Sequence, residues 1–166
     1  MTQTLDSSIA EAVQKLADRL IGRGWSLACA ESCTGGWIAK VCTDLAGSSA
    51  WFDRGYVSYS YPAKEEQLGV IRADLELHGA VSEPIAAQMA HGARQRSGVE
   101  LTLAATGIAG PEGGTPSKPV GMVCFGWSMR GAILRTDTQV FEGDRDAVRR
   151  QTVLHAINGA VEMLGH

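Results

Sequence analysis

The amino-acid sequence predicts an α/β fold in which a largely parallel sheet is covered by helices on both faces. Short apolar segments of strand length alternate with segments of helical periodicity, and amphipathic helices are expected near both ends of the chain. Two strand-like segments meet late, around Arg130-Gly131, and add an antiparallel strand, so the sheet should be mixed. The chain has 166 residues without repeats or a linker, and residues 1–166 are therefore expected to form one domain.

In the first half of the chain, helical and strand-like patterns alternate. A capping box formed by Ser8 and Glu11 predicts the start of the first helix, and Gly24 predicts its end. The apolar run that follows has the length of a buried strand. The expected elements up to the middle of the chain are a strand over 25–30, a helix over 36–47, a strand over 55–61, and one or two short helices within 62–78 with a turn near Gly69.

The second half is expected to contain two longer helices and three strands. Ser82 and Pro84 are typical of the first turn of a helix, and Gly98 predicts its end. Asp144 is predicted to cap the last helix, and its apolar stripe comprises Val148, Thr152, Ala156, Ala160 and Leu164. The remaining elements are strands over 100–106, 120–129 and 132–141, and a loop over 107–119.

Composition and charge exclude several classes of protein. Hydrophobic residues make up 45% of the chain and charged residues 20%, which is typical of a globular protein. The net charge of −3 provides no electrostatic footprint for nucleic acid or an anionic membrane. No apolar run reaches the roughly 20 residues of a membrane span, and the N-terminus does not resemble a signal peptide. We therefore expect a cytoplasmic protein without a membrane or nucleic-acid partner.

The four cysteines do not predict a metal site. They are Cys29, Cys33, Cys42 and Cys124, and their spacing matches no zinc motif. Reduced, buried thiols are the simpler interpretation, and no metal is expected.

Two glycine-rich loops are candidates for ligand binding. "ESCTGG" follows the strand over 25–30, and "GIAGPEGGTPSKP" follows the strand over 100–106. In open α/β sheets ligands bind beyond the carboxyl ends of the strands, so both loops should lie on one rim and could hold a phosphate or a carboxylate. The alternative is two tight turns without a ligand. The candidate binding residues are Thr34, Gly35, Gly36, Thr106, Gly107, Gly113, Gly114, Lys118 and, at the start of the last helix, Arg145.

A third segment carries the residue types needed for serine–lysine catalysis. "AGSSAWFDRGYVSYSYPAK" places Ser48, Ser49, Tyr59 and Lys64 within one stretch. A serine hydroxyl needs a base, and a lysine can be that base if burial lowers its pKa. The alternative is that a serine caps a short helix and Lys64 lies on the surface. No histidine arrangement indicates a catalytic triad.

Five segments together resemble one known family across about residues 8 to 164. They are "AESCTGGWIAK", "DLAGSSAWFDRGYVSYS", "HGAVSEPIAAQMAHGAR", "TGIAGPEGGTPSKPVG" and "GDRDAVRRQ". In this order they resemble the C-terminal domain family of the competence/damage-inducible protein CinA, whose stand-alone members include nicotinamide mononucleotide deamidases. The resemblance implies a three-layer α/β/α sandwich with a mixed, mostly parallel sheet, of the anticodon-binding-domain-like type.

The resemblance also implies an activity and a set of site residues. The activity is hydrolysis of the carboxamide of nicotinamide mononucleotide, in pyridine-nucleotide salvage, with no cofactor. The implied catalytic residues are Ser49 as nucleophile, Lys64 as base, Tyr59 in assistance and Ser32 in support. Ser48 is expected to contact the substrate. A homodimer is expected because two-fold dimers are the commonest soluble oligomers.

Two alternatives stay open on the sequence alone. The chain could be a non-catalytic nucleotide-binding or competence-associated accessory protein, or Cys33 could be the nucleophile, since a thiol beside a helix N-terminus can have a lowered pKa. The sequence also departs from the family at Tyr61, where an Asn is common, and this affects the expected substrate preference more than the reaction.

Overall fold

The computed structural model describes residues 2–165. Within that range the chain forms six α-helices, a 3-10 helix at Ser48–Ala50 and five strands. The helices are α1 (Thr2–Arg23), α2 (Trp37–Asp44), α3 (Tyr61–Leu68), α4 (Arg72–His78), α5 (Glu83–Ser97) and α6 (Arg145–Leu164). The strands are β1 (Leu27–Glu31), β2 (Phe52–Val57), β3 (Leu101–Gly107), β4 (Met122–Met129) and β5 (Ile133–Val140).

The five strands form one mixed sheet in the order β2-β1-β3-β4-β5. β1 lies between β2 and β3 and is parallel to both, with Glu31 opposite Val57 on one side and Ala105 on the other. β4 is antiparallel to β3 and to β5. Four of the five strands therefore run in the same direction, which confirms the predicted mixed, mostly parallel sheet.

Helices cover both faces of the sheet and give three layers. On one face α1, α2 and α6 pack against a core that includes Leu16, Phe125 and Trp127. On the other face α3, α4 and α5 enclose a smaller core around Leu68 and Met89. β1 and β3 lie at the centre of the sheet and are buried almost throughout, as expected for strands covered on both sides.

Two glycines allow α5 to approach its neighbours closely. A Cβ at Gly126 of β4 would lie 2.4 Å from the carbonyl oxygen of Ala86, and one at Gly92 would lie 1.8 Å from that of Leu68. Neither position can hold a larger residue unless the backbone moves. These contacts fix α5 against the sheet on one side and against the C-terminal end of α3 on the other.

The predicted order of elements is confirmed, and several predicted boundaries are wrong, most clearly the start of α1 and both ends of β2. α1 begins at Thr2, ahead of the proposed capping box, and the Ser8 hydroxyl donates to the carbonyl of Thr4 within the helix (3.0 Å). β2 ends at Val57, whereas the prediction extended the strand to Tyr61. The Ser60 side chain instead accepts a hydrogen bond from the amide of Ala63 (3.1 Å) and caps α3, which ends the extended segment.

The predicted last helix agrees closely with α6. The Asp144 carboxylate accepts a hydrogen bond from the amide of Ala147 (2.9 Å), which confirms the predicted cap. The predicted apolar stripe is buried at every position, namely Val148, Thr152, Ala156, Ala160 and Leu164.

Candidate active site

The loops that follow β1, β2 and β3 meet at one rim of the sheet. The Ser32 amide donates to the carbonyl of Ala105 in β3 (3.1 Å), and the Ser58 amide donates to the carbonyl of Glu31 in β1 (2.9 Å). Both glycine-rich loops therefore start at neighbouring strand ends, as predicted from the direction of the strands.

Lys64 is the buried cation at this rim. Its side chain lies in α3, is 1% exposed, and extends to the end of β1. The ammonium nitrogen Nζ lies 3.0 Å from Ser32 Oγ, 2.8 Å from the carbonyl oxygen of Ser58 and 2.9 Å from that of Tyr59. Burial lowers the pKa of Lys64 to about 8, because removing water disfavours the charged form. The alternative of a surface Lys64 is thus wrong.

The three partners of Lys64 determine what its neutral amine can do. A neutral amine has two N–H donors and one lone pair, and two of the three partners are carbonyl oxygens, which only accept. When both carbonyls are satisfied, the lone pair faces the hydroxyl of Ser32. The geometry is that of a base positioned to take the Ser32 proton.

Ser48 and Ser49 lie at the opposite ends of the strands, at the rim of the sheet where β1 begins. The carbonyl of Trp51, directly after their 3-10 helix, accepts from the amide of Leu27 at the amino end of β1 (2.7 Å). A strand of six residues, about 20 Å long, therefore separates Ser49 from Lys64 within the chain. The structure brings together Ser32 and Lys64, and it does not bring Ser49 or Ser48 to this site. The resemblance implied Ser49 as the nucleophile, whereas β2 carries the chain from one rim to the other.

Glu31 is a site residue that sequence reasoning missed. Its carboxylate is fully buried and accepts hydrogen bonds from the Thr34 hydroxyl (2.6 Å) and from the amides of Gly36 (3.2 Å), Ile38 (2.8 Å) and Ala39 (3.0 Å). A carboxylate at a helix N-terminus satisfies free amides and interacts favourably with the helix dipole. An acidic residue shortly before a predicted helix was the available signal.

The Glu31 carboxylate corrects the expectation that "ESCTGG" is an anion cradle. The amides at the start of α2 that a phosphate would need already bond to this side chain. Thr34 is fully buried and bonded to Glu31, and the Gly35 amide donates to the carbonyl of Ser32 (3.1 Å). The Thr34 hydroxyl and the amides of Gly35 and Gly36 are therefore occupied within the turn and cannot hold a substrate phosphate at the helix start.

Arg149 of α6 holds the same turn from the other side. Its Nε donates to the carbonyl of Cys33 (3.0 Å) and its Nη2 to that of Thr34 (3.1 Å). The guanidinium also lies 5.3 Å from the ring centroid of Trp37, the first residue of α2. Arg149 is 116 residues from Cys33 in the sequence, and no local pattern indicates this contact.

A cleft of about 230 Å³ opens beside the Ser32 turn. The β3 loop forms most of its wall, and Arg145 reaches across to donate to the carbonyl of Gly110 (2.7 Å). The Tyr59 side chain is 61% exposed at its edge, while its backbone carbonyl contacts Lys64. The predicted residues that line this cleft are Tyr59, Gly107, Gly113 and Arg145.

Three other predicted binding residues have structural contacts instead. The Thr106 hydroxyl donates to the carbonyl of Ala80 (3.0 Å), and Lys118 Nζ donates to the carbonyl of His78. At Gly114 a Cβ would lie 2.8 Å from the amide nitrogen of Val120, so glycine is required for the loop to pack. None of these three residues lines the cleft.

The cysteines are free and buried, as predicted. Burial raises the pKa of the Cys33 thiol to about 12, although Arg149 nearby opposes this effect. The thiol therefore stays protonated at neutral pH, which argues against Cys33 as the nucleophile.

Two searches of the described chain gave negative results. Residues 2–165 contain no group of three or more His, Cys, Asp or Glu side chains arranged to hold a metal ion. In the same range, no helix combines the length and apolar character needed to cross a membrane.

Comparison with known proteins places this arrangement in a family. The sequence profile of the CinA C-terminal domain matches residues 9–164. Nicotinamide-nucleotide amidohydrolase PncC of Enterobacter agglomerans is 46% identical over 156 residues, covering 94% of this chain and 95% of that protein. PncC of Escherichia coli (strain K12) is 47% identical over 152 residues, covering 92% of each chain.

A solved structure supports the same assignment. The crystal structure of the competence/damage inducible protein CihA from Agrobacterium tumefaciens superposes with a TM-score of 0.92 at 39% identity, covering 96% of both chains. The profile match, the two sequence relatives and this structure all extend over nearly the whole chain. The chain belongs to the CinA C-terminal domain family.

Proposed function

We propose that this chain is a nicotinamide-nucleotide amidohydrolase that converts nicotinamide mononucleotide and water into nicotinic acid mononucleotide and ammonia. The single observation that carries the chemistry is the 3.0 Å contact between Lys64 Nζ and Ser32 Oγ at a buried rim. The names of the relatives at 46% and 47% identity support the substrate. In this proposal the nucleophile is Ser32, in place of the Ser49 expected from the sequence.

The first half of the reaction forms an acyl-enzyme. Neutral Lys64 takes the Ser32 proton while Ser32 Oγ bonds to the carboxamide carbon, and the carbonyl π electrons move onto oxygen. The tetrahedral intermediate then collapses as the C–N bond breaks. Lys64 returns the proton to the departing nitrogen, which leaves as ammonia. The carbonyl oxygens of Ser58 and Tyr59 keep the amine in place throughout.

The second half consumes water. Lys64 takes a proton from a water molecule as its oxygen bonds to the acyl carbon, and the bond to Ser32 Oγ breaks as that oxygen recovers the proton. The products are a carboxylic acid and the regenerated hydroxyl. One lysine serves as base and acid in both halves, and its lowered pKa of about 8 suits both tasks near neutral pH.

The β3 loop and Arg145 provide a binding site for the nucleotide phosphate in this proposal. Arg145 is exposed, carries a positive charge, and lies on the cleft with Gly107 and Gly113. The Tyr59 ring at the edge of the cleft offers an aromatic surface to the pyridine ring. The assistance expected of Tyr59 therefore takes this form in the proposal: its carbonyl contacts Lys64 and its ring contacts the substrate.

The homodimer and the cytoplasmic location stay predictions. Sedimentation of the purified protein would measure the first, and cell fractionation the second.

Ammonia release from nicotinamide mononucleotide tests the proposal. Ser32→Ala should lower kcat by at least roughly 10³-fold, because removal of a nucleophile eliminates the covalent route. Ser49→Ala and Cys33→Ala are the matched controls and should retain wild-type rates. Absence of ammonia release by the wild type would reject the proposed function, and loss of activity in Ser49→Ala with Ser32→Ala active would restore Ser49 as the nucleophile.

A further inference from the structure

The backbone amides between Ser32 and Lys40 fall into two groups. One group donates hydrogen bonds within the protein, to carbonyl oxygens or to the Glu31 carboxylate. The amides of Cys33 and Thr34 form the other group, and no acceptor on another residue within 2–165 receives them. The bonded amides are those of Ser32, Gly35, Gly36, Trp37, Ile38, Ala39 and Lys40.

Unpaired amides at buried positions are uncommon and require an explanation. Cys33 is 5% exposed and Thr34 is fully buried. Most buried backbone N–H groups in proteins have a partner, because an unpaired one loses its hydrogen bond to water without a replacement. These two directly follow Ser32, the proposed nucleophile. Their position suggests that the missing acceptor is an atom of the substrate.

The Arg149 contacts determine which way the Thr34 amide faces. The C=O of Cys33 and the N–H of Thr34 belong to one trans peptide unit and point in opposite directions. Arg149 belongs to α6, which covers one face of the sheet, and it binds this C=O. The N–H therefore points toward the other face, where α3 carries Lys64. The free donor and the base lie on the same side of the Ser32 turn.

We propose that the amides of Cys33 and Thr34 form the oxyanion hole of this site, and that Arg149 is the positioning residue that holds the Thr34 amide in place. The inference rests on the proposed function, because the oxyanion forms on the carboxamide oxygen when Ser32 attacks. The hole stabilises that oxygen as it gains the electron pair, and amides held in place before the reaction need no reorganisation. Arg149 binds the Cys33 carbonyl, which shares a peptide unit with the Thr34 amide, and the Thr34 carbonyl next to it. In this proposal it does not touch the substrate.

Arg150 provides a matched control for Arg149. Both guanidinium groups lie over the ring of Trp37, with centroid distances of 5.3 Å for Arg149 and 4.8 Å for Arg150. Arg150 pairs with Asp146 (3.1 Å) and with Asp6, and it makes no hydrogen bond to the Ser32 turn within residues 2–165. Loss of either arginine removes a stacked cation, but only loss of Arg149 releases the peptide units after Ser32.

Steady-state kinetics of the two variants test the positioning role. Arg149→Ala should lower kcat roughly 10- to 100-fold, because small displacements of catalytic donors have effects of this size. KM should change less than about twofold, and the rise of activity with pH near 8 should keep its midpoint, because Lys64 keeps its surroundings. Arg149→Lys keeps the positive charge but has one donor nitrogen in place of the two that Arg149 uses, so it should recover part of the lost kcat. Arg150→Ala should lower the thermal midpoint but keep kcat within about twofold.

Removal of the amide itself tests the hole directly and does not depend on Arg149. Replacing Thr34 by its α-hydroxy acid analogue exchanges the N–H for an ester oxygen and keeps the side chain. We expect kcat to fall about 100-fold or more, as for loss of one oxyanion donor. The same exchange at Lys40, whose amide donates to the Gly36 carbonyl (2.9 Å) inside the helical segment, should leave kcat within about threefold.

The outcomes separate this inference from the proposed function. Wild-type ammonia release with an unchanged kcat in the Thr34 ester would overturn the oxyanion hole and leave the amidohydrolase assignment intact. Equal effects of Arg149→Ala and Arg150→Ala on kcat, KM and thermal midpoint would overturn the positioning role. If Arg149→Ala does not fold, the kcat of Arg149→Lys tests the positioning role, and the kcat of the Thr34 ester tests the oxyanion hole. A wild type that releases no ammonia rejects both proposals.

Discussion

The two glycine-rich loops at the rim of the sheet resemble each other in sequence and differ in structure. The turn after β1 is buried from Ser32 to Thr34, and the Glu31 carboxylate before it satisfies the amides at the start of α2. The loop after β3 is exposed over residues 111–117 and forms the wall of the cleft. Glycine content alone therefore does not identify an anion site. What matters is whether a side chain of the protein already occupies the amides.

This difference assigns separate tasks to the two loops in our proposal. The β1 turn carries the nucleophile, so changes there should affect the chemical step. The β3 loop binds the nucleotide, so changes there should affect KM. Each of the following predictions tests one side of this division.

The largest expected effect is loss of the base. Lys64→Met should lower kcat roughly 10²- to 10⁴-fold, the usual contribution of a general base, with little change in KM. Ammonia release at saturating substrate measures it. Lys40→Met is the control, since Lys40 is exposed and pairs with Asp44 (2.7 Å). A raised KM with an unchanged kcat would mean that Lys64 binds substrate and does not act as the base.

Removal of the Glu31 carboxylate should free the amides at the start of α2, so that the turn after β1 could bind an anion. Glu31→Ala should lower the free energy of unfolding by about 3 kcal/mol, because several buried donors lose their acceptor. Urea denaturation measures this change, and Glu31→Gln should have a smaller effect because one acceptor oxygen remains. Sulfate should stabilise Glu31→Ala more than wild type, since the start of α2 becomes free for an anion. If sulfate stabilised wild type and Glu31→Ala equally, the Glu31 carboxylate would not be what keeps anions from the start of α2.

Activity should depend on pH through the amine of Lys64. Burial lowers its pKa to about 8, and only the neutral amine takes the Ser32 proton. kcat/KM should therefore increase about tenfold between pH 7 and pH 9, with a midpoint near 8. The increase follows because the neutral fraction grows as pH passes the lowered pKa. A profile that is flat over this range would show that Lys64 does not titrate there.

The smallest effect on activity is expected for Arg145, which lies on the cleft beside the loop after β3. Arg145→Ala should raise KM for nicotinamide mononucleotide about fivefold, in keeping with one exposed charge-assisted contact, and should leave kcat almost unchanged. Nicotinamide riboside, which lacks the phosphate, is the control substrate, and its kcat/KM should be the same in wild type and variant. A variant that loses activity equally on both substrates would show that Arg145 does not bind the phosphate.

Local patterns predicted much of the fold. Three predictions depend on residues close together in sequence. They are the cap at Asp144, the buried stripe of α6 and the order of the elements along the chain. The extended start of α1 was missed because propensity alone indicates weakly where an exposed helix begins. β2 was placed too late because alternating aromatic residues run past Val57, whereas Ser60 and Pro62 begin a helix there.

The site was predicted only in part, because its central contacts join distant segments. Lys64 was expected to be the base from its residue type and from the resemblance, and both loops were placed on one rim from the direction of the strands. The partner of Lys64 lies 32 residues away at Ser32, and Ser49 is nearer in sequence but far in space. Arg149 reaches the turn only because α6 packs across the sheet. Such contacts follow from tertiary packing and leave no local signal.

The position of α6 has a consequence for biosynthesis. It is the last helix of the described chain to leave the ribosome, and it carries both Arg145 and Arg149. A nascent chain that ends before α6 contains Ser32 and Lys64 but lacks the arginines of the cleft and the turn. α6 also packs against α1, so the first and last helices of the described residues are neighbours in the fold. The contacts that these two arginines make therefore form only once α6 is available, however early the sheet forms.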